Sequence, residues 1–164
     1  MPSSKRHPQA IALLIADHDA VKKLFKQYDK LAEDHADAGE RRDLARRICT
    51  ELKVHTRIEE EILYPAAREA LGDEADLVDE AQVEHASAKD LIAQIESMEP
   101  DQPLYDAKVK VLGEYIDHHV KEEQQEMFPK LEKSRLDLDF LGEQIAVRKQ
   151  EIKGELEQQE PELV

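Results

Sequence analysis

The chain carries one metal-ligand pattern twice. His18 is followed by His55 and Glu59, and His85 by His119 and Glu123. The match extends beyond these six residues: His55 to Pro65 reads HTRIEEEILYP and His119 to Pro129 reads HVKEEQQEMFP, with His, Glu, an aromatic and Pro in register. DHDAVKKL from Asp17 likewise lines up with EHASAKDL from Glu84. The chain therefore reads as two copies of a helix pair, each bringing two histidines and one carboxylate to a shared centre.

The apolar residues agree with helices. Ile11, Leu14, His18, Val21, Phe25 and Tyr28 recur in steps of three and four, which predicts a first helix from Pro8 to about Asp34 with His18 on its core-facing stripe. The second spans about Gly39 to Leu71 with the stripe Ile48, Leu52, His55, Glu59, Ile62 and Ala66, and Gly72 stops it. The third, about Asp73 to Met98, aligns Val78, Ala81, His85, Ala88, Ile92 and Ile95. The fourth opens at Pro103 and aligns Tyr105, Val109, Leu112, Ile116, His119 and Glu123. Pro65 and Pro129 are expected to kink or end helices two and four. Short connections imply antiparallel neighbours, so the expected fold is all-α, an up-down-up-down four-helix bundle. Leu138, Leu141, Ile145, Arg148 and Ile152 add a C-terminal helix to about Gln159, covering an edge of the bundle or making a dimer contact, before a frayed EQQEPELV. Residues 1–133 are thus assigned to the metal-binding bundle and 134–164 to the added helix and tail.

Composition narrows the function. At 164 residues the chain is one domain with room for a core, and 37% charged residues with only 4% aromatics favour helix over sheet. A formal charge of -15 argues against nucleic acid or an anionic membrane as partner. The same charge keeps a chain soluble, and part of it can surround a bound cation. The single cysteine, Cys49, excludes an internal disulfide and any cysteine-ligated zinc or iron–sulfur centre, and reads as a small core residue. MPSSKRHPQA lacks a signal-peptide apolar run, and no stretch approaches membrane-span length, so a cytoplasmic protein is expected.

Burying Glu59 and Glu123 in a helical core is costly unless each is paired or binds metal, and no Lys or Arg shares their stripes. Imidazole and carboxylate without thiolate suit iron, manganese or zinc. Two His pairs with two carboxylates between them point to two ions bridged by both glutamates. His118 lies about 100° around the helix from His119 and is read as a non-ligand. His7 and His35 are read as solvated, Glu126 as a surface carboxylate or extra ligand, and Asp17 and Glu84 as acidic surface residues able to hold a neighbouring group. Tyr28, Tyr64 and Tyr105 are read as packing residues, one of which could approach the metals.

The His, HxxxE, His, HxxxE order on four helices, followed by LYP and MFP, resembles the hemerythrin family, specifically the bacterial hemerythrin-like (HHE cation-binding) domains, over about residues 11–130. The resemblance implies a carboxylate-bridged non-haem di-iron centre, oxo- or hydroxo-bridged, with Mn or Zn as substitutes. It places His18 and His55 on one iron, His85 and His119 on the other, and Glu59 and Glu123 between them. Oxygen carriers of the family have a fifth ligand histidine one turn along helix three, where this chain has Lys89. The His85 iron is thus expected to be one ligand short, with space beside Ala81 and Ala88. This favours a protein that binds or reduces a small diatomic or peroxide ligand (dioxygen, peroxide or nitric oxide), with catalase-like turnover as the enzymatic form. The alternative is an oxygen or iron sensor, or a metal-storage module without turnover, as monomer or homodimer.

Overall fold

A computed structural model describes residues 6–159, all helix and short connections with no strand among them. Helix α1 (Gln9–Glu33) and α2 (Ala38–Ile58) form the first pair. A π-helical turn, Glu59–Leu63, carries α2 into α3 (Tyr64–Leu71). The second pair is α4 (Asp76–Glu96) and α5 (Tyr105–Glu122), and a second π turn, Glu123–Met127, leads into α6 (Phe128–Lys133). The last helix is α7 (Leu138–Gln159). The four-helix arrangement with an added C-terminal helix is as the sequence predicts, and α7 packs along α1 and α2. The end of the EQQEPELV tail, residues 160–164, lies outside the described residues. No described helix is long and apolar enough to cross a membrane.

The two π turns sit at the expected prolines and have a physical cause. Pro65 has no N–H to give, and its ring would meet the carbonyl one turn back in a regular α-helix. Inserting one residue resolves this: the N–H of Tyr64 reaches back to the carbonyl of Glu59, and that of Phe128 to Glu123. The helices are widened rather than ended. The insertion also shifts the inward stripe by one residue. The expected Ile62 and Ala66 are only partly buried, and Leu63, Tyr64 and Ala67 take the core positions. In the second copy Glu126 is exposed, while Met127, Phe128 and Leu131 are buried.

The buried apolar residues form two clusters. One, built around Ile11, Leu14, Ile58, Leu63 and Phe128, includes the inner face of α7. The other, around Val21, Tyr28, Ile48, Ile92 and Leu112, fills the opposite end of the bundle. A layer of buried polar residues, His18, His55, Glu59, His85, His119 and Glu123, lies between these ends of the helices. Helix α7 docks through Leu138, Leu141, Ile145 and Ile152, and Gly142 lets it approach α1: a Cβ there would stand 2.7 Å from the backbone nitrogen of Ala10. Arg148, expected on the inner stripe, instead reaches outward to Glu61, its Nε 2.8 Å from Oε2.

Candidate metal centre

All six residues singled out by the repeat converge in one buried layer. Helical spacing sets each His–Glu pair, with His55 Nε2 at 3.1 Å from Glu59 Oε1 and His119 Nε2 at 3.1 Å from Glu123 Oε2. Packing of the two helix pairs supplies the rest. His18 Nε2 lies 3.1 Å from His55 Nε2 and 3.3 Å from Glu123 Oε1, and His85 Nε2 lies 3.2 Å from both His119 Nε2 and Glu59 Oε1. Two four-residue groups result, His18, His55, Glu59, Glu123 and Glu59, His85, His119, Glu123, each with donor atoms within 4.8 Å of one another. The glutamates belong to both.

These distances fit a metal better than a hydrogen-bond network. Imidazole donors about 2.1 Å from one ion and at right angles stand about 3 Å apart. Glu59 is fully buried, and both of its carboxylate oxygens, with Oε1 of Glu123, lack a hydrogen-bond partner among the described residues. An uncompensated buried carboxylate costs on the order of several kcal/mol, so the core is built for a cation. The ionisation equilibria show the same demand. Burial alone would lower the pKa of His55, but the Glu59 and Asp17 carboxylates overcome it and push the imidazole up to about 10. His119 is raised likewise, against burial, by Glu123, Glu59 and Glu84. Burial would raise Glu59, yet His55, His119 and His85 hold it well below the usual carboxylate range. Protons and metal compete for this charge, since histidine ligates only when neutral.

The outer nitrogens of the rings are oriented by residues that the sequence pattern leaves on the surface. His55 Nδ1 donates to Asp17 Oδ2 at 3.0 Å, and His119 Nδ1 donates to Glu84 Oε1 at 3.0 Å. Asp17 is in turn paired with Lys149 of α7. His18 Nδ1 donates to Gln124 Oε1 at 2.9 Å, while His85 Nδ1 stands 3.5 Å from Glu60 Oε1. Such contacts fix which nitrogen faces inward and raise ligand basicity. The signal was present in the repeat itself, because Asp17 and Glu84 precede equivalent histidines, and Glu60 and Gln124 are equivalent positions.

Tyr64 is the residue that periodicity most undervalued. The π turn rotates it inward, where its hydroxyl donates to Glu123 Oε2 at 2.5 Å and lies 3.0 Å from His85 Nε2 and 3.2 Å from His119 Nε2. Burial and the Glu59 and Glu123 carboxylates raise its pKa well above that of a free phenol. The equivalent residue, Phe128, stacks on His18 with ring centroids 6.1 Å apart and no hydroxyl to offer. Tyr28 donates to Asp106 at 2.6 Å and lies, with Tyr105, in the other apolar cluster.

The remaining candidates lie away from the layer. His118 has a side chain 67% exposed and pairs with Glu122 at 3.0 Å. His7 pairs with Glu132, and His35 is exposed at a positive φ of 51°. Lys89, in place of a fifth histidine, turns outward to Glu60 at 2.6 Å. The space expected beside Ala81 and Ala88 is small or elsewhere. Ala81 lines a cleft of about 10 Å3, whereas a cavity of about 20 Å3 over the four imidazoles is walled by Val21, Leu52, Ile116 and Val120.

Comparison with known proteins agrees with this geometry. The chain is 29% identical over 114 residues to a DNA nickase from a Nostoc species, a match covering 68% of this chain but only 30% of that much longer protein. The fold is shared with the crystal structure of a hemerythrin HHE cation binding domain-containing protein from Mycobacterium kansasii, with a TM-score of 0.71 and 24% identity over 88% of this chain and 86% of that one. The hemerythrin HHE cation binding domain matches residues 9–131, from the start of α1 into α6 and so across every residue of the buried layer. With the duplicated ligand pattern, the helical bundle and that match in agreement, the chain belongs to the hemerythrin HHE cation-binding family.

Proposed function

We propose that the buried layer holds two iron ions, one between His18 and His55 and one between His85 and His119, with Glu59 and Glu123 bridging them, and that it binds or reduces a small diatomic or peroxide ligand. The observation that carries this reading is the sharing of two buried glutamates by both four-residue groups. Iron there would supply a two-electron redox pair; manganese and zinc match the same donors, but zinc offers no redox chemistry.

The chain's own residues do the remaining work. Asp17, Glu84 and Gln124 orient the imidazoles, and Tyr64 stands where its oxygen completes the His85/His119 set. In this reading Tyr64 supplies the donor that a fifth histidine would, and the open position falls on the His18/His55 side. There Phe128 presents only a ring. The apolar cavity beside the imidazoles excludes bulk water and favours a neutral ligand over a charged one.

Reconstitution with iron under reducing conditions, followed by elemental analysis and an optical spectrum, tests the proposal. Two ions per chain and a near-ultraviolet band that responds to azide or peroxide are expected. A reproducible limit of one ion refutes the dinuclear reading. Two ions without any response to peroxide, dioxygen or nitric oxide refute the reactive reading in favour of an iron sensor or store.

A further inference from the structure

We infer that small ligands reach the centre through the groove between α1 and α5, and that a charge difference between two equivalent positions of the repeat keeps this groove open while its counterpart is latched shut. The inference rests on the proposed metal centre for its purpose, but on cavities and ion pairs for its geometry.

A groove of about 200 Å3 opens between α1 and α5, lined among others by His18, Lys22, Phe25, Gly113 and Gln124. Behind it lies the cavity of about 20 Å3 over the imidazoles. His18, Ile116 and Val120 line both, so Ile116 and Val120 form the partition through which one communicates with the other. About 10–15 Å3 is needed to hold one water, so the inner cavity takes a molecule of roughly water or diatomic size. Gly113 contributes to the width: a Cβ there would stand 3.0 Å from the Phe25 ring.

The repeat supplies a control. Lys22 and Gln124 correspond to Lys89 and Glu60, and the small Gly113 corresponds to Cys49. At the equivalent place between α4 and the first π turn, Lys89 Nζ binds both oxygens of Glu60 at 2.6 and 2.7 Å. That ion pair lies outside His85. At the α1/α5 groove the carboxylate is replaced by the neutral amide of Gln124, which accepts from His18. Lys22, though on the wall of the same groove, makes no ion pair among the described residues, and Lys121 is taken by Asp117 at 3.0 Å. One Glu-to-Gln difference thus removes the latch from one of two equivalent doors.

The test restores it. Gln124→Glu should let Lys22 close the groove and slow nitric oxide binding to the iron-loaded, reduced protein roughly fivefold, about what an exposed ion pair can withhold. Lys22→Ala added to Gln124→Glu should undo most of that slowing; a double variant as slow as the single one shows that the introduced carboxylate acted through His18 and overturns the latch. Val120→Phe should block the partition and slow binding by more than about tenfold at unchanged iron content, since a packed core has little room to yield. Methyl NMR of the metal-free protein under xenon provides a readout independent of iron: Val21 should shift in the parent and not in Val120→Phe. Equal xenon shifts in the two, or parent-like nitric oxide rates in both Gln124→Glu and Val120→Phe, overturn the route. Failure of the parent to take up iron would instead refute the proposed centre, and the xenon result would still decide the route.

Discussion

The two halves of the buried layer come from one duplicated sequence unit and differ at a few positions. In the half that holds His85 and His119, Tyr64 places a hydroxyl among the donors, and a Lys89–Glu60 pair lies outside. In the half that holds His18 and His55, the equivalents are Phe128 and Gln124, and the groove beside them is open. Duplication secures the ligand positions, because a His and a Glu one helical turn apart stay together wherever the helix packs. Single side chains decide how each half treats a ligand, because a hydroxyl, a ring or a charge beside the centre changes donor number and access.

Four sets of experiments probe the difference between the halves. The largest effect removes what the halves share: Glu59→Ala should abolish retention of both ions, whereas His118→Ala should keep them, as elemental analysis will show. Loss of one ion alone would mean that Glu59 serves a single half. The same variant should lose the melting shift that metal confers, worth about 2.7 kcal/mol at 100-fold excess over the dissociation constant. Next come the orienting carboxylates. Asp17→Asn acts on the His18/His55 half and Glu84→Gln on the other, and each should weaken metal binding by about 10–100-fold in competition with a chelator. An effect from only one would show that the other half is held by packing alone.

A smaller change exchanges the aromatic residues. Tyr64→Phe should cost about 1–3 kcal/mol in chemical denaturation, the range for leaving a buried acceptor, here Glu123 Oε2, without its donor. It should also erase any visible phenolate-to-iron band and admit azide to the His85/His119 half. Phe128→Tyr should do the reverse and suppress azide binding at His18. The smallest effect concerns Cys49, the counterpart of Gly113. Burial, with Glu96 nearby, raises its thiol from 9.0 to about 12. The folded protein then holds its proton more tightly than the unfolded chain, so this group's contribution to stability is present below about pH 9 and is lost as pH rises toward 12. Iodoacetamide at about pH 8 should therefore label unfolded but not folded protein. Rapid labelling of the folded chain would show that the Cys49 side of the bundle is as open as the Gly113 side.

Most of the fold was legible because helical periodicity is local. The stripes of α1 and α4 run as the spacing predicts, with Leu24 joining the first. The periodicity slips past Glu59 and Glu123, where a proline forces in one extra residue and changes the period. That slip hid the inward turn of Tyr64, whose hydroxyl reaches Glu123.

Helical spacing and the cost of burying carboxylates were enough to pick out the six inward histidines and glutamates, their division into two equal sets and the demand for a cation, since neither needs tertiary information. Helix packing brings Asp17 to His55 from another helix, turns Tyr64 toward His85, and sets Lys89 on Glu60. Those contacts join residues from 21 to 38 positions apart in the chain. They depend on how helices cross, and no local periodicity encodes that.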